Sequence, residues 1–160
     1  MLILGIDPGS TRVGYGLIKK EKNNLFFVES GLLEIFSKNK TDRLLEAAKS
    51  LSKIIKKHKP NVVAVEKLFF MKNLKTAVEV SETRGVLTLI VGQHKIPLLE
   101  FSPSEIKIAV TGYGMADKKA VAKMVENILK IDKIKGPDDI SDALAVAITA
   151  TNFLNNLRQY

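Results

Sequence analysis

Four carboxylates stand where a folded chain can bring them together. Asp7 closes the apolar run LILGID and Glu66 closes VVAVE, so each is expected at the C-terminal tip of a buried strand. Asp139 and Asp142 lie three apart in the helical pattern DDISDALAVAI and therefore share a helix face. Acids with no His or Cys beside them suit a hard divalent cation such as Mg2+, which takes oxygen ligands. Two adjacent ions in such a set activate a water and stabilise the leaving oxygen of a phosphodiester, with Asp7 best placed to bridge them. Each acid also has an ordinary explanation. Asp7 precedes Pro8-Gly9, a turn by composition, and Asp138 or Asp139 could serve a helix N-terminus by charge and capping. Glu66 and Asp142 resist that explanation, because both adjoin apolar segments where an unpaired carboxylate is costly. It is the set that points to catalysis.

The remaining composition says what such a site would act on. A chain of 160 residues with 46% hydrophobic and 26% charged residues reads as one globular domain, residues 1–160. A net charge of +8 favours a polyanionic partner. No basic amphipathic helix with aromatic anchors is present, so nucleic acid is expected and a membrane surface is not. Cysteine is absent, which excludes disulfides, thiolate zinc sites and cysteine nucleophiles and is compatible with the cytoplasm, the expected location. The start MLILGID carries no basic leader, so no signal peptide is expected, and no apolar stretch approaches a membrane span. His58 and His94 sit beside lysines and suggest no role.

The elements that must position the acids follow from periodicity. Strands are expected at 2–6, 13–19 and 25–35, joined by the short polar connections of antiparallel neighbours. From Thr41, Leu44, Leu45, Ala48, Leu51 and Ile55 form a helical stripe that Pro60 ends, and a buried strand follows at 61–65. A helix over 74–93 turns apolar almost all round in its second half, around Val86, Leu87, Leu89, Ile90 and Val91. It therefore needs cover on two sides, from the sheet and from another subunit. A last strand is expected at 96–101, and Ser102-Pro103-Ser104-Glu105 spells a capping box with proline at the first helical position. Asp117 opens another helix, and a final one follows Gly136-Pro137. If the strand at 61–65 pairs parallel with the first, Asp7 and Glu66 become neighbours at one end of the sheet.

The segments LGIDPGSTRVGYGLI, VEKLFFMKN and DDISDALAVAI, in this order and spacing, resemble those of the RuvC Holliday junction resolvase family. The resemblance runs over nearly the whole chain. It implies an RNase H-like α/β fold, a five-stranded mixed sheet flanked by helices. It also implies a homodimer that nicks two opposed strands of four-way junction DNA, working alongside a branch-migration helicase complex. The cofactor it implies is Mg2+, two ions per active site, with Mn2+ able to substitute. The family's metal-binding quartet falls on Asp7, Glu66, Asp139 and Asp142; D-x-x-D-A-L fixes the register on Asp139 and not on its neighbour Asp138. Phe69 matches an aromatic that the family places against unstacked junction bases, and Lys107 and Lys118 match lysines that serve phosphate binding or catalysis. Lys118 is unusual on its own terms, since a cation in a helix's first turn opposes the dipole unless an anion lies there. Arg12 and the stretch from Lys72 to Lys75 are candidates for further phosphate contacts, but lysine is too common here for the sequence to assign them.

Other readings share parts of this pattern. An acid-glycine-serine turn after a strand is also the phosphate loop of sugar kinases and actin-like ATPases. Those proteins clamp nucleotide between two such domains, and 160 residues supply one. A smaller RNase H-like nuclease would share the acids but act on another nucleic acid. A non-catalytic DNA-binding module is the poorest fit, because four negative charges repel phosphate unless a cation neutralises them.

Overall fold

The computed structural model describes residues 1–68 and 74–156. Its first strand, β1 (Leu2–Pro8), is buried along most of its length, as the unbroken run LILGI requires. β2 (Val13–Glu21) folds back antiparallel with Asp7 opposite Gly14, and β3 (Asn24–Leu32) pairs antiparallel with β2 on its outer side. α1 (Lys40–His58) carries the chain across the sheet, and β4 (Val62–Glu66) returns parallel to β1 with Val65 beside Ile6. α2 (Leu74–Gln93) leads to β5 (Leu98–Phe101), parallel to β4. The order β3-β2-β1-β4-β5 is the expected five-stranded mixed sheet, and it sets β1 and β4 side by side. α3 (Pro103–Thr111), α4 (Lys118–Leu129) and α5 (Asp138–Asn156) follow.

The two faces of the sheet carry separate cores. α5 covers one, with Leu144 and Ala147 fully buried and Val110 of α3 and Val125 of α4 packed beyond. α1 and α2 cover the other through Leu51, Ile55, Leu87 and Val91. Each such aliphatic side chain contributes roughly 1.5–3 kcal/mol when buried. α5 lies unusually close to β1: a Cβ at Gly5 would stand 2.1 Å from the Ala143 carbonyl oxygen. Only the absence of a side chain lets the helix backbone settle there.

Helix ends follow the sequence signals. Ser102 accepts from the Glu105 amide at 3.3 Å while the Glu105 carboxylate accepts from the Ser102 amide at 2.7 Å, so the capping box is complete. Asp117 caps α4 by accepting from the Ala120 amide at 2.7 Å.

Two strands are shorter than expected. β3 stops at Leu32 because beyond Leu33, whose amide still donates to the Val13 carbonyl, the chain turns to α1: the Glu34 amide donates to Ser50 Oγ, and those of Phe36 and Ser37 donate to Glu46. β5 begins at Leu98 because the Ile96 amide instead donates to Val91 at the end of α2.

α2 buries Leu87 and Val91 but leaves Val78 and Leu89 more than half exposed, so the sheet and α1 cover only one of its two apolar sides. Among the described residues no helix is long and apolar enough to cross a membrane.

Candidate active site

The parallel pairing of β1 with β4 brings the ends of both strands, and with them Asp7 and Glu66, to one end of the sheet. Arg84 of α2 braces this edge from behind, its Nε donating to the Glu66 carbonyl at 3.4 Å and its guanidinium pairing with Glu100. The N-terminal part of α5 then brings Asp139 and Asp142 beside the strand tips.

The acids divide two cavities between them. Asp7 and Glu66 line both. A cavity of about 450 Å3 adds Asp139, Arg12 and the turn from Pro8 to Thr11. One of about 380 Å3 adds Asp142, Lys107 and Lys118. Of the sequence-derived candidates, the structure thus gathers Asp7, Glu66, Asp139, Asp142, Lys107 and Lys118 at one end of the sheet. Phe69 and Lys72 lie outside the described residues. Asp138 is exposed and lines neither cavity, its carboxylate accepting from Lys118.

The electrostatics are those of crowded acids. Burial, and then the charges of Asp142, Glu66 and Asp139, push the Asp7 carboxyl up to about 8. Burial and Asp142 raise Glu66, with Lys118 and Lys107 opposing. Burial also raises Asp142, against the pull of its hydrogen bond from Lys118. Among the described residues, no three Asp, Glu or His side chains are close enough together to hold a metal ion as they stand. Cations of the chain stand among the acids. Lys118 Nζ donates to Asp138 at 2.7 Å and to Asp142 at 3.1 Å, and Arg12 lies 3.1 Å from Asp139. The anion that Lys118 meets at the start of α4 is therefore a pair of carboxylates, which also holds its ammonium charged above the usual lysine range.

The residues fit a hard divalent cation. All four candidate donors are carboxylates, burial and then its acidic neighbours disfavour the ionised form of Asp7, and Asp139 Oδ2 is buried without a hydrogen-bond donor. A divalent cation would relieve each of these strains.

A family model described as crossover junction endodeoxyribonuclease RuvC matches residues 3–150. The chain belongs to the RuvC family. It is 45% identical over 150 residues to a crossover junction endodeoxyribonuclease RuvC of Prochlorococcus marinus, covering 93% of this chain and 97% of that one. The corresponding protein of Petrotoga mobilis is 41% identical over 159 residues, covering 99% of this chain and 98% of the relative. In three dimensions the chain matches Thermus thermophilus RuvC in complex with Holliday junction substrate, with a TM-score of 0.91 at 26% identity, over 98% of this chain and 96% of that one. The yeast mitochondrial Holliday junction resolvase Ydc2 shares the fold, with a TM-score of 0.75 at 15% identity over 99% of this chain and 80% of that one. The architecture is thus the RNase H-like α/β fold of RuvC.

Three features of the site are absent from the sequence-level reading. Arg12 pairs with Asp139, and Asp138 anchors Lys118. The third is the closeness of α5 to β1, for which Gly5 was the available signal, opposite the small residues of DALAVAI.

Proposed function

We propose that this chain is an endodeoxyribonuclease of one domain that resolves four-way DNA junctions by paired, Mg2+-dependent nicking of two opposed strands. The observation that carries this is the placing of Asp7 and Glu66 between two cavities, one completed by Asp139 and the other by Asp142. A shared pair with one further acid on each side suits two ions, for which Mn2+ would substitute. Membership of the RuvC family, and a solved relative holding a Holliday junction substrate, support the choice of DNA.

Bound Mg2+ would activate the attacking water and stabilise the leaving oxygen. The chain supplies the rest. Asp7 and Glu66 hold the centre, and Asp139 and Asp142 hold its flanks. Lys107, in the cavity of Asp142, offers its ammonium to a phosphate. Lys118 exchanges its contact with Asp142 for a phosphate oxygen while Asp138 keeps hold of its ammonium. Phe69 stacks on a base left exposed at the crossover.

Two opposed cuts need two sites related by symmetry, and a two-fold dimer supplies them. Val78 and Leu89, exposed on the uncovered side of α2, are the apolar surface such a dimer would bury. We place its work in the cytoplasm, alongside a branch-migration helicase complex.

The test compares labelled four-way junction with linear duplex in Mg2+, using the wild type, Asp7→Asn and Asp142→Asn. The wild type should nick the junction in pairs and spare duplex. Both variants should lose cleavage at least a hundredfold while binding junction as well or more tightly, because a charge that repels phosphate is gone. Full cleavage by both variants would end this reading.

A further inference from the structure

The roles assigned above leave Arg12 unused. It follows Asp7 by five residues, on the turn between β1 and β2, and lines the same cavity as Asp7, Glu66 and Asp139. Its guanidinium lies 3.1 Å from Asp139 Oδ2. That contact lacks the alignment of a hydrogen bond, so Oδ2 remains buried without a donor. The partners are unequal: the Arg12 side chain is 52% exposed and that of Asp139 only 16%. An arginine rooted in solvent thus reaches down to cover an acid fixed in the first turn of α5.

We propose that Arg12 is a placeholder counterion, displaced from Asp139 by the divalent cation and thereby freed to clamp a DNA phosphate at the same cavity. This deepens the reading of Asp139 as a metal ligand and rests on it. An oxygen that ligates Mg2+ does so at about 2.0–2.1 Å. A guanidinium 3.1 Å from that oxygen would then stand within a few ångströms of a doubly charged ion, and like charges at that distance repel. Ion pair and metal therefore exclude each other on Oδ2.

The pair is easily given up, being open to water on its arginine side and poorly aligned. Once free, the guanidinium has no second ion pair to fall back on, since Asp139 is its single ion-pair partner among the described residues and neighbouring Asp138 is already engaged by Lys118. Lys118 differs here, because Asp138 keeps it in place when Asp142 is taken. A guanidinium released at the mouth of a cavity built for a phosphodiester has the planar fork that grips phosphate oxygens. Metal loading and DNA grip are thereby coupled through one side chain.

The coupling is measurable without turnover. Mg2+ binding to the DNA-free protein is titrated calorimetrically for the wild type, Arg12→Gln, Arg12→Lys and Asp139→Asn. Junction affinity is then compared in EDTA and in Ca2+, a hard cation that takes the same oxygen ligands. Arg12→Gln should bind Mg2+ about two- to fivefold more tightly, the scale of an exposed ion pair. It should lose junction affinity in Ca2+ but little in EDTA, and Arg12→Lys should restore both toward wild type. Unchanged or weaker Mg2+ binding by Arg12→Gln, with Asp139→Asn still losing the metal, overturns the placeholder role alone. An equal loss of junction affinity in EDTA and Ca2+ overturns the handover. If Asp139→Asn binds Mg2+ like the wild type, the metal-ligand reading fails and this inference fails with it.

Discussion

Gly14 and Asp139 meet backbone to backbone: a Cβ at Gly14 would stand 2.0 Å from the Asp139 carbonyl oxygen. Gly14 is also the residue opposite Asp7 in the β1–β2 ladder. One missing side chain thus sets the distance between two of the candidate acids. Gly14→Ala should push the start of α5 off the sheet, lower stability by about 1–3 kcal/mol, and weaken Mg2+ binding. Calorimetric unfolding with parallel Mg2+ titration checks this, and a variant that keeps wild-type metal affinity would show that the contact does not position the acid.

The raised Asp7 carboxyl makes the metal-free protein sensitive to pH. Well below pH 4 the group is protonated whether folded or unfolded. Between about 4 and 8 the folded state keeps a proton that the unfolded chain has released, so stability falls as pH rises. Above 8 both states are ionised and the full penalty remains. Glu66 and Asp142 are raised too and add in the same direction. In EDTA the melting temperature should therefore drop from pH 5 to pH 8, and Asp7→Asn should flatten the slope. Added Mg2+ should raise it more at pH 8 than at pH 5. A metal-free protein with no such slope would contradict the crowding of these acids.

The exposed side of α2 should govern assembly. Leu89→Asp puts a charge on a residue that is 59% exposed in the single chain, so the fold should survive. Sedimentation should show a shift from dimer to monomer, with paired incision of junction falling at least tenfold. A variant that stays dimeric would move the interface elsewhere.

Junction and duplex carry the same phosphate charge, so the +8 net charge cannot tell them apart. Phe69→Ala removes the proposed stacking contact, worth on the order of 1–3 kcal/mol per base. Junction processing should fall about ten- to a hundredfold while duplex affinity and its salt dependence hold. Equal loss on both substrates, or an unfolded protein, would return Phe69 to the core.

Much of this was legible because buried parallel strands announce themselves. The runs ahead of Asp7 and Glu66 read as buried strands, and the parallel pairing that the sequence left conditional is the one observed, which sets the acids at one end of the sheet. The D-x-x-D spacing placed Asp139 and Asp142 on one face before any coordinates. What stayed hidden depends on long-range approach. Arg12 and Asp139 lie far apart in sequence, and neither type nor period pairs them. β3 was overextended because residues 33–35 look apolar enough for a strand, although past Leu33, which still bonds Val13, the Glu34 amide turns to α1. Lys118 was read for its opposition to the helix dipole, but the sequence could not say that carboxylates of α5 would answer it.

The sheet also partitions the molecule by task. Every candidate side chain contributed by a helix, Lys107, Lys118, Asp139 and Asp142, comes from the α3–α4–α5 side, whereas the helix offered for assembly packs with α1 on the other. The two jobs meet at the rim, where Arg84 reaches from α2 to the Glu66 carbonyl and Thr76 and Val80 of the same helix line the cavity of Asp7 and Asp139. Such a division lets a change on the outer side of α2 alter how copies associate without touching the side chains that α3, α4 and α5 bring to the acids. Arg84, tied to both Glu66 and Glu100, is where a shift of α2 would be felt at the site.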